Sequence, residues 1–401
     1  MGRDEVAQAV AAVTAANRLT ARWAETCDGG GTVLSGVGAW PLLAALAEAA
    51  DGAARTELAE AVDVPAQSGL GAAHDLVRVL GESPAVRCAL GLWTAASLPV
   101  KDEWASGLPD AVHGVLDADP KRSQAALDLW VEKQTEGLLR RMPVNITPAT
   151  LLVLASALTV RTRWESRFTA VPTVPSDGPW ARRRLSGLQR AIAVSDVRIV
   201  TGFEDDGPAT LVTVRGGDEI DVALVLGESG VRSGTVLAQA VTSIAAQSGY
   251  GEAVDLSRDQ PGPGLTVTEI PAQVPDPTAS LNTVAFTVSA HHDLLEQPEV
   301  FGLRTAADGS RGRFPGISDV PLYVQAAAQD ATATFSAEGF VAAAVTAISM
   351  ARSAAMRREP AGTAKHLTAT FDRPFGFLAI HRPSRLVLAC GWVTQPDEYP
   401  S

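Results

Sequence analysis

Phe335 to Phe375 reads FSAEGFVAAAVTAISMARSAAMRREPAGTAKHLTATFDRPF. A polar turn, Ser336-Ala337-Glu338-Gly339, opens it. A run of small residues follows from Ala342 to Ala347, broken only by Val345 and Thr346. A basic middle carrying Pro360 comes next, then a strand-like exit into Phe371-Asp372-Arg373-Pro374-Phe375. Taken alone, the small-residue run reads as an Ala-rich surface helix, because alanine is the best helix former. Nothing in the stretch has the make-up of a catalytic centre, so its meaning depends on the chain around it.

Working outward, the 401 residues are 46% hydrophobic, enough to bury a sizeable core. The net charge is −12 and the pI about 5.0, which argues against a nucleic-acid partner. The one basic cluster, Arg182-Arg183-Arg184, reads as a solvated loop. Cys27, Cys88 and Cys390 are too few and too widely spaced for a disulfide framework or a metal pattern. The N-terminus has acidic residues at 4 and 5 and no solid apolar block, so no signal peptide is read there, and a cytoplasmic location is expected. No segment has the apolar length to span a bilayer.

Val6, Val10 and Val13, with Leu19 and Trp23, form one face of an amphipathic opening helix. Thr32–Leu34 is a short apolar strand, and a helix then runs to Ala50 with Pro41 in its first turn. Arg55 to Val62 is a further helix, Ala89–Val100 is strand-like, and Ser123 to Met142 is helical. Leu151 to Val160, LLVLASALTV, has the continuous apolar character of a strand covered on both faces. Leu211–Val214 and Ile220–Leu226 flank Gly216-Gly217-Asp218 as a hairpin. Val236–Ala246 is a helix, and Leu265–Ile270 and Val284–Ser289 are strand candidates. A second hairpin joins Phe375–Ile380 to Leu386–Val393. No repeat and no linker divides the chain, so residues 1–401 read as one α+β domain.

Catalytic and ligand patterns are weak. His291-His292-Asp293 lacks a spaced third metal ligand and reads as an exposed strand end. GTVLSGVG at Gly31–Gly38 has neither a P-loop lysine nor dinucleotide spacing, and no G-x-S-x-G elbow occurs. No cofactor and no metal is expected, and an enzyme is not the natural reading.

Several segments in one order resemble the serpin family. Ser35 to Leu58, SGVGAWPLLAALAEAADGAARTEL, is similar to its early helical segment, and DLWVEKQTEGL at Asp128–Leu138 to its I-N-x-W-V pattern. LVLASALTVRTRWESRF at Leu152–Phe168 resembles the family strand that ends in a near-invariant tryptophan, matched by Trp164. FPGISDVPLYV at Phe314–Val324 is similar to F-S-G-I-S. Glu338-Gly339 followed by Ala342-Ala343-Ala344 resembles the reactive-loop hinge. Phe371–Phe377 and Leu386–Pro396 are similar to the family's C-terminal motifs.

The resemblance implies a serpin fold: three β-sheets, about nine helices and an exposed reactive-centre loop, with 336–370 as hinge and loop. It implies a suicide inhibitor, expected as a monomer, whose partner is a trypsin-like serine protease. The protease cleaves the loop, is held as an acyl-enzyme, and is distorted as the loop enters the central sheet, serpins being a standing example of strand insertion. A serpin-fold scaffold whose loop is only a substrate is the alternative, and an extracellular location, as for many serpins, is the alternative to a cytoplasmic one.

Hinge positions are Glu338, Gly339, Phe340, Ala342, Ala343, Ala344 and Thr346. Scissile-bond candidates lie among Arg352, Ser353, Ala354, Arg357 and Arg358, with Lys365-His366 also open, because Gly339 to Pro374 is about ten residues longer than usual. The sheet-opening region is Ser35, Gly38, Ser156, Trp164 and Gln329. Ser156 stands for the usual Asn, Gln329 for the usual His, and Gly36 and Gly38 for Pro and Ser. Phe340 stands for a Thr or Ser, and as the one bulky residue among the inward-facing hinge positions it is expected to overpack the first step of insertion. A threonine there is expected to raise the trapped fraction.

Overall fold

The computed structural model describes residues 3–400 apart from 109–112, 135–136, 138–140, 143, 145, 202–206, 247–250, 311–313 and 342–361. Among the described residues there are eight α-helices: α1 (Arg3–Glu25), α2 (Gly36–Ala49), α3 (Gly52–Val62), α4 (Gly69–Gly81), α5 (Asp102–Gly107), α6 (Pro120–Gln134), α7 (Ser233–Ala245) and α8 (Pro298–Phe301). Three sheets carry the rest. A seven-stranded sheet runs in the order β1 (Thr32–Leu34), β18 (Leu386–Val393), β17 (Phe375–His381), β9 (Ile220–Gly227), β8 (Pro208–Arg215), β7 (Val197–Thr201) and β10 (Glu252–Ala253). A five-stranded sheet runs β11 (Leu265–Ala272), β16 (Gly362–Thr370), β12 (Thr278–Val284), β6 (Leu185–Ile192) and β5 (Thr169–Thr173). A six-stranded central sheet runs β13 (Phe286–Asp293), β14 (Ala326–Phe335), β15 (Gly339–Val341), β4 (Leu152–Arg163), β2 (Val86–Ala95) and β3 (His113–Leu116). This is a mixed α+β architecture with three sheets, as expected from the sequence.

The long strands follow from apolar runs with no polar face. β9, β17 and β18 are buried along their whole length, as strands covered on both faces must be. Both hairpins form where Gly and Pro punctuate the chain, pairing Arg215 with Asp221 and His381 with Leu386. The second turn needs Arg385 at φ 59°, and Asn17 of α1 holds it by donating Nδ2 to Arg385 O (2.9 Å) and accepting from Val387 N (2.9 Å).

Several expectations are corrected. In α1 the predicted face is buried at Val13, Leu19 and Trp23, together with Ala9, Ala12 and Ala16, but not in its first turns, where Val6 is 42% and Val10 48% exposed. The alanines of the buried face let α1 pack closely on its neighbours, α7 among them. α2 begins at Gly36, which puts Pro41 inside the helix and not in its first turn. A Cβ on Gly36 would sit 2.2 Å from Thr20 Oγ1, so that helix start depends on close approach to α1. α6 ends at Gln134, short of Met142. Val284–Ser289 is divided between β12 and β13. The arginine cluster is pinned at Arg183, which donates to Glu398 Oε1 (2.7 and 2.9 Å) and Gln395 Oε1 (3.1 Å).

The face of α1 is checked by thermal melting. Val10→Lys should leave stability within about 0.5 kcal/mol, whereas Ala12→Leu should cost about 1–3 kcal/mol by overpacking.

Candidate functional site

β14 ends at Phe335 and the chain reverses through Ser336-Ala337-Glu338. Ser336 N and Oγ both donate to Gly339 O (3.0 and 3.1 Å). The segment that leaves β4 accepts the turn as a unit. Trp164 Nε1 donates to Ser336 O (2.8 Å), Phe168 N to Ala337 O (3.0 Å) and Trp164 N to Glu338 O (3.1 Å). The Phe335 ring packs against Trp164 (4.8 Å between centroids), Phe168 (5.6 Å) and Phe286 (5.4 Å).

The next three residues are already strand. β15 lies between β14 and β4, antiparallel to both: Phe340 faces Phe335 on one side and Thr162 on the other. A Cβ on Gly339 would come within 2.3 Å of Thr162 O, so this entry into the sheet requires glycine. Phe340 is wholly buried, its ring 5.9 Å from that of Phe377 in β17. Its bulk is therefore housed in the uncut protein, and the overpacking expected at the start of insertion is not found. Replacing it removes core, in place of easing entry.

Below β15 no further strand joins β4 to β14 among the described residues. β4 and β14 pair directly, in parallel, only at Val153–Ala155 with Ala326–Ala328. Among the described residues no ladder joins 156–160 to 329–333. The lower, closed part is covered by a second apolar cluster in which Leu127 and Val131 of α6 meet Met142, Val144, Ile146, Val153 and Ala328.

The polar cluster read from the sequence is assembled where the direct pairing of β4 with β14 ends. Gln329 accepts from Ser35 N (2.8 Å) and donates Nε2 to Ser35 O (2.9 Å), acting as a piece of backbone for the residue that starts α2. Ser35 Oγ donates to Leu388 O of β18 (2.6 Å). A Cβ on Gly38 would stand 2.8 Å from Ser156 Oγ and 2.9 Å from Gln329 Nε2, so the glycine makes room for both side chains. His292, level with Gln329 on β13, bonds Val33 O through Nε2 (3.0 Å) and meets Trp23 edge-to-face (5.1 Å). Burial holds its pKa below the ordinary histidine value, as it does for His113 and His381.

An ion pair between buried Asp221 and half-buried Arg382 ties this region to the seven-stranded sheet. Arg382 grips Asp221 with Nε and Nη2 (2.9 and 2.7 Å) and donates to Gly216 O (2.8 Å). Gly217 N in turn donates to Arg163 O (2.8 Å), next to the Trp164–Gly216 bridge.

Ser35, Gly38, Ser156 and Gln329 thus meet under the gap, and Trp164 stands at its upper end beside Glu338, Gly339 and Phe340. Ala342, Ala343, Ala344, Thr346, Arg352, Ser353, Ala354, Arg357 and Arg358 lie outside the described residues. Lys365 and His366 are not loop residues: both are in β16, Lys365 paired with β11 and His366 with β11 and β12, so the stretch 336–370 includes the two strands β15 and β16. His291 pairs with Asp330 (2.7 Å) and His292 with Val33 O, and no metal-binding group is found among the described residues. The Asp221–Arg382 pair was missed, although an aspartate inside the apolar run IDVALVLG signals a buried partner.

Residues 11–177 and 279–396 match the family Serpin (serine protease inhibitor). The chain belongs to the serpin family. Serpins are in general protease inhibitors and not enzymes. No curated protein sequence matches this one. Among solved structures the chain is similar to the thermophilic serpin tengpin in its native state (TM-score 0.73, 14% identity, covering 98% of this chain and 95% of that one). It is similar to the thyroxine-binding globulin complex with thyroxine (TM-score 0.71, 16% identity, 97% and 99% covered). A third similar structure is native protease nexin-1 with heparin (TM-score 0.70, 19% identity, 98% and 100% covered).

Two outcomes follow for this serpin. Phe340→Ala should lower the stability of the uncut protein by about 3–5 kcal/mol, read by urea unfolding. His381 is buried and His113 and His292 are half-buried, and all three bind protons less readily folded than unfolded. The unfolded chain therefore gains protons first as pH falls through about 6.5, and melting temperature should drop between pH 7.5 and 5.5. A flat profile over that range would contradict the burial of these rings.

Proposed function

We propose that this serpin inhibits trypsin-like serine proteases, as a monomer, by loop cleavage, acyl-enzyme trapping and insertion of the cut loop into the central sheet. One observation carries the reading: β15 already occupies the position between β4 and β14, with no ladder joining those two strands just beneath it among the described residues. Continued in its register, residues 342–346 would come level with 160–156 on β4 and 333–329 on β14. Ala342, Ala344 and Thr346 would then share the inward face with Phe340. Thr346 would arrive between Ser156 and Gln329, one residue above the parallel pairing of Ala155 with Ala328. The gap thus takes the small-residue run, and side chains of that size pass a packed layer with least strain.

Complete insertion in the same register runs to Met350, level with Leu152 at the start of β4. The cleaved bond belongs just beyond that point. Arg352–Ser353 satisfies this, and an arginine there suits a primary pocket that carries a carboxylate. Arg357 and Arg358 would leave the acylated protease on a longer arm, with less force to distort it. New ladder bonds at about 0.5–1.5 kcal/mol each would together supply on the order of 10 kcal/mol.

Mixed with trypsin, the protein should give an SDS-resistant complex, and the loop-nicked protein should melt roughly 20 °C higher than the intact one. Arg352→Ala should abolish the complex, whereas Arg357→Ala and Arg358→Ala should retain it. Clean nicking with no complex and no gain in melting temperature would instead make the chain a serpin-fold scaffold whose loop is a substrate.

A further inference from the structure

The strand that receives the far end of the loop, β16, is held on both edges. β12 pairs with it in parallel from Thr278↔His366 to Asn282↔Thr370. β11 pairs with it antiparallel along its entire length, from Ala272↔Gly362 to Leu265↔Ala369. The four residues nearest the loop, Gly362 to Lys365, are therefore paired by β11 alone. At that end Lys365 Nζ lies 3.6 Å from Glu269 Oε1, and Ala364 is buried. Further along, Leu367 and Ala369 are fully buried, and His366 is bonded through its two ring nitrogens to Thr278 Oγ1 (2.8 Å) and Ser280 Oγ (3.0 Å).

We infer that β11 is a lock on β16 that keeps the loop from entering the central sheet uncut. This rests on the insertion reading proposed above. An open gap beneath β15 admits an intact loop as readily as a cut one, and a chain that filled it without a protease would be spent. The restraint is chain length. A strand from Gly339 to Met350 is about 36 Å long. The steps from Met350 back to Gly362 reach at most about 42 Å when fully stretched. Almost nothing is left to round the foot of one sheet and rise to another. Complete entry of an uncut loop must draw chain out of β16, and the first residues drawn are those that β11 alone pairs.

β11 lies in the stretch 178–278, outside the residues that match the family, whereas β12 from residue 279 and all of β16 lie inside them. β11 is itself built as a sheet edge. Val267 N donates to Asp259 O (2.8 Å), so odd-numbered N–H groups point away from β16, and Pro271, which has none, falls in that row.

The test is the rate at which intact protein, held warm, loses its trypsin-cleavable loop and becomes heat-stable. Thr268→Pro removes an N–H that points at β16 while its side chain is on the exposed face, and should speed the conversion about tenfold. Should that variant not fold, Glu269→Lys reads the same lock with a milder change: it should speed conversion about twofold, and adding Lys365→Glu should restore the original rate. If nicked wild-type protein gains heat stability but neither variant converts faster than wild type, the lock is wrong and insertion stands. If nicked wild-type protein gains no heat stability, insertion itself fails and the lock falls with it.

Discussion

A short strand with two partners sets the terms for this molecule. Gly339–Val341 are hydrogen-bonded to β14 on one edge and β4 on the other, and nothing regular continues them among the described residues. Two facing strand edges below are left without a ladder between them, a condition that proteins ordinarily cover or blunt. Here the edges are flanked instead. The Trp164 and Phe168 segment clamps the turn above, and the parallel pairing at Ala155 and Ala328 closes the sheet below. The unpaired span matches the length of the small-residue run that the chain carries next to it.

The side chains around that span divide the labour between holding and yielding. Phe340 anchors the hinge in the core, where it meets Phe377 of another sheet. Gln329 does the opposite kind of work. Its amide substitutes for a backbone partner of Ser35 by two hydrogen bonds, each worth about 1 kcal/mol net, and these are the contacts that a strand arriving at Ser156 would disturb. A core of apolar contacts alone could not be rearranged locally in this way, because close-packed interiors resist small displacements. The Asp221–Arg382 pair fixes the frame against which such a rearrangement acts.

Much of this was legible beforehand. The continuous apolar runs gave the inner strands, Gly216-Gly217 and Pro383 marked the hairpins, and the order of several motifs pointed to the family. Less legible were features set by size and approach. α1 buried its alanines together with Val13, Leu19 and Trp23 and left Val6 and Val10 outside, and those alanines let it pack closely on its neighbours. Phe340 looked like an obstacle because local alternation says which face a residue takes and says nothing about whether a hole awaits it there.

The sequence by itself determined the family, the two hairpins, the polar set Ser35, Gly38, Ser156 and Gln329, and the small-residue run beside Gly339. Each is a local pattern or a motif in fixed order, readable without knowing what lies opposite. Only the tertiary structure decided that β15 lies between β14 and β4, that no ladder joins those two strands just beneath it among the described residues, and that β16 is bounded by β11 as well as β12. Those are statements about register between strands far apart in the chain. Register is set by which edges are free to pair and which cavities accept a ring, and both exist only once the sheets have formed.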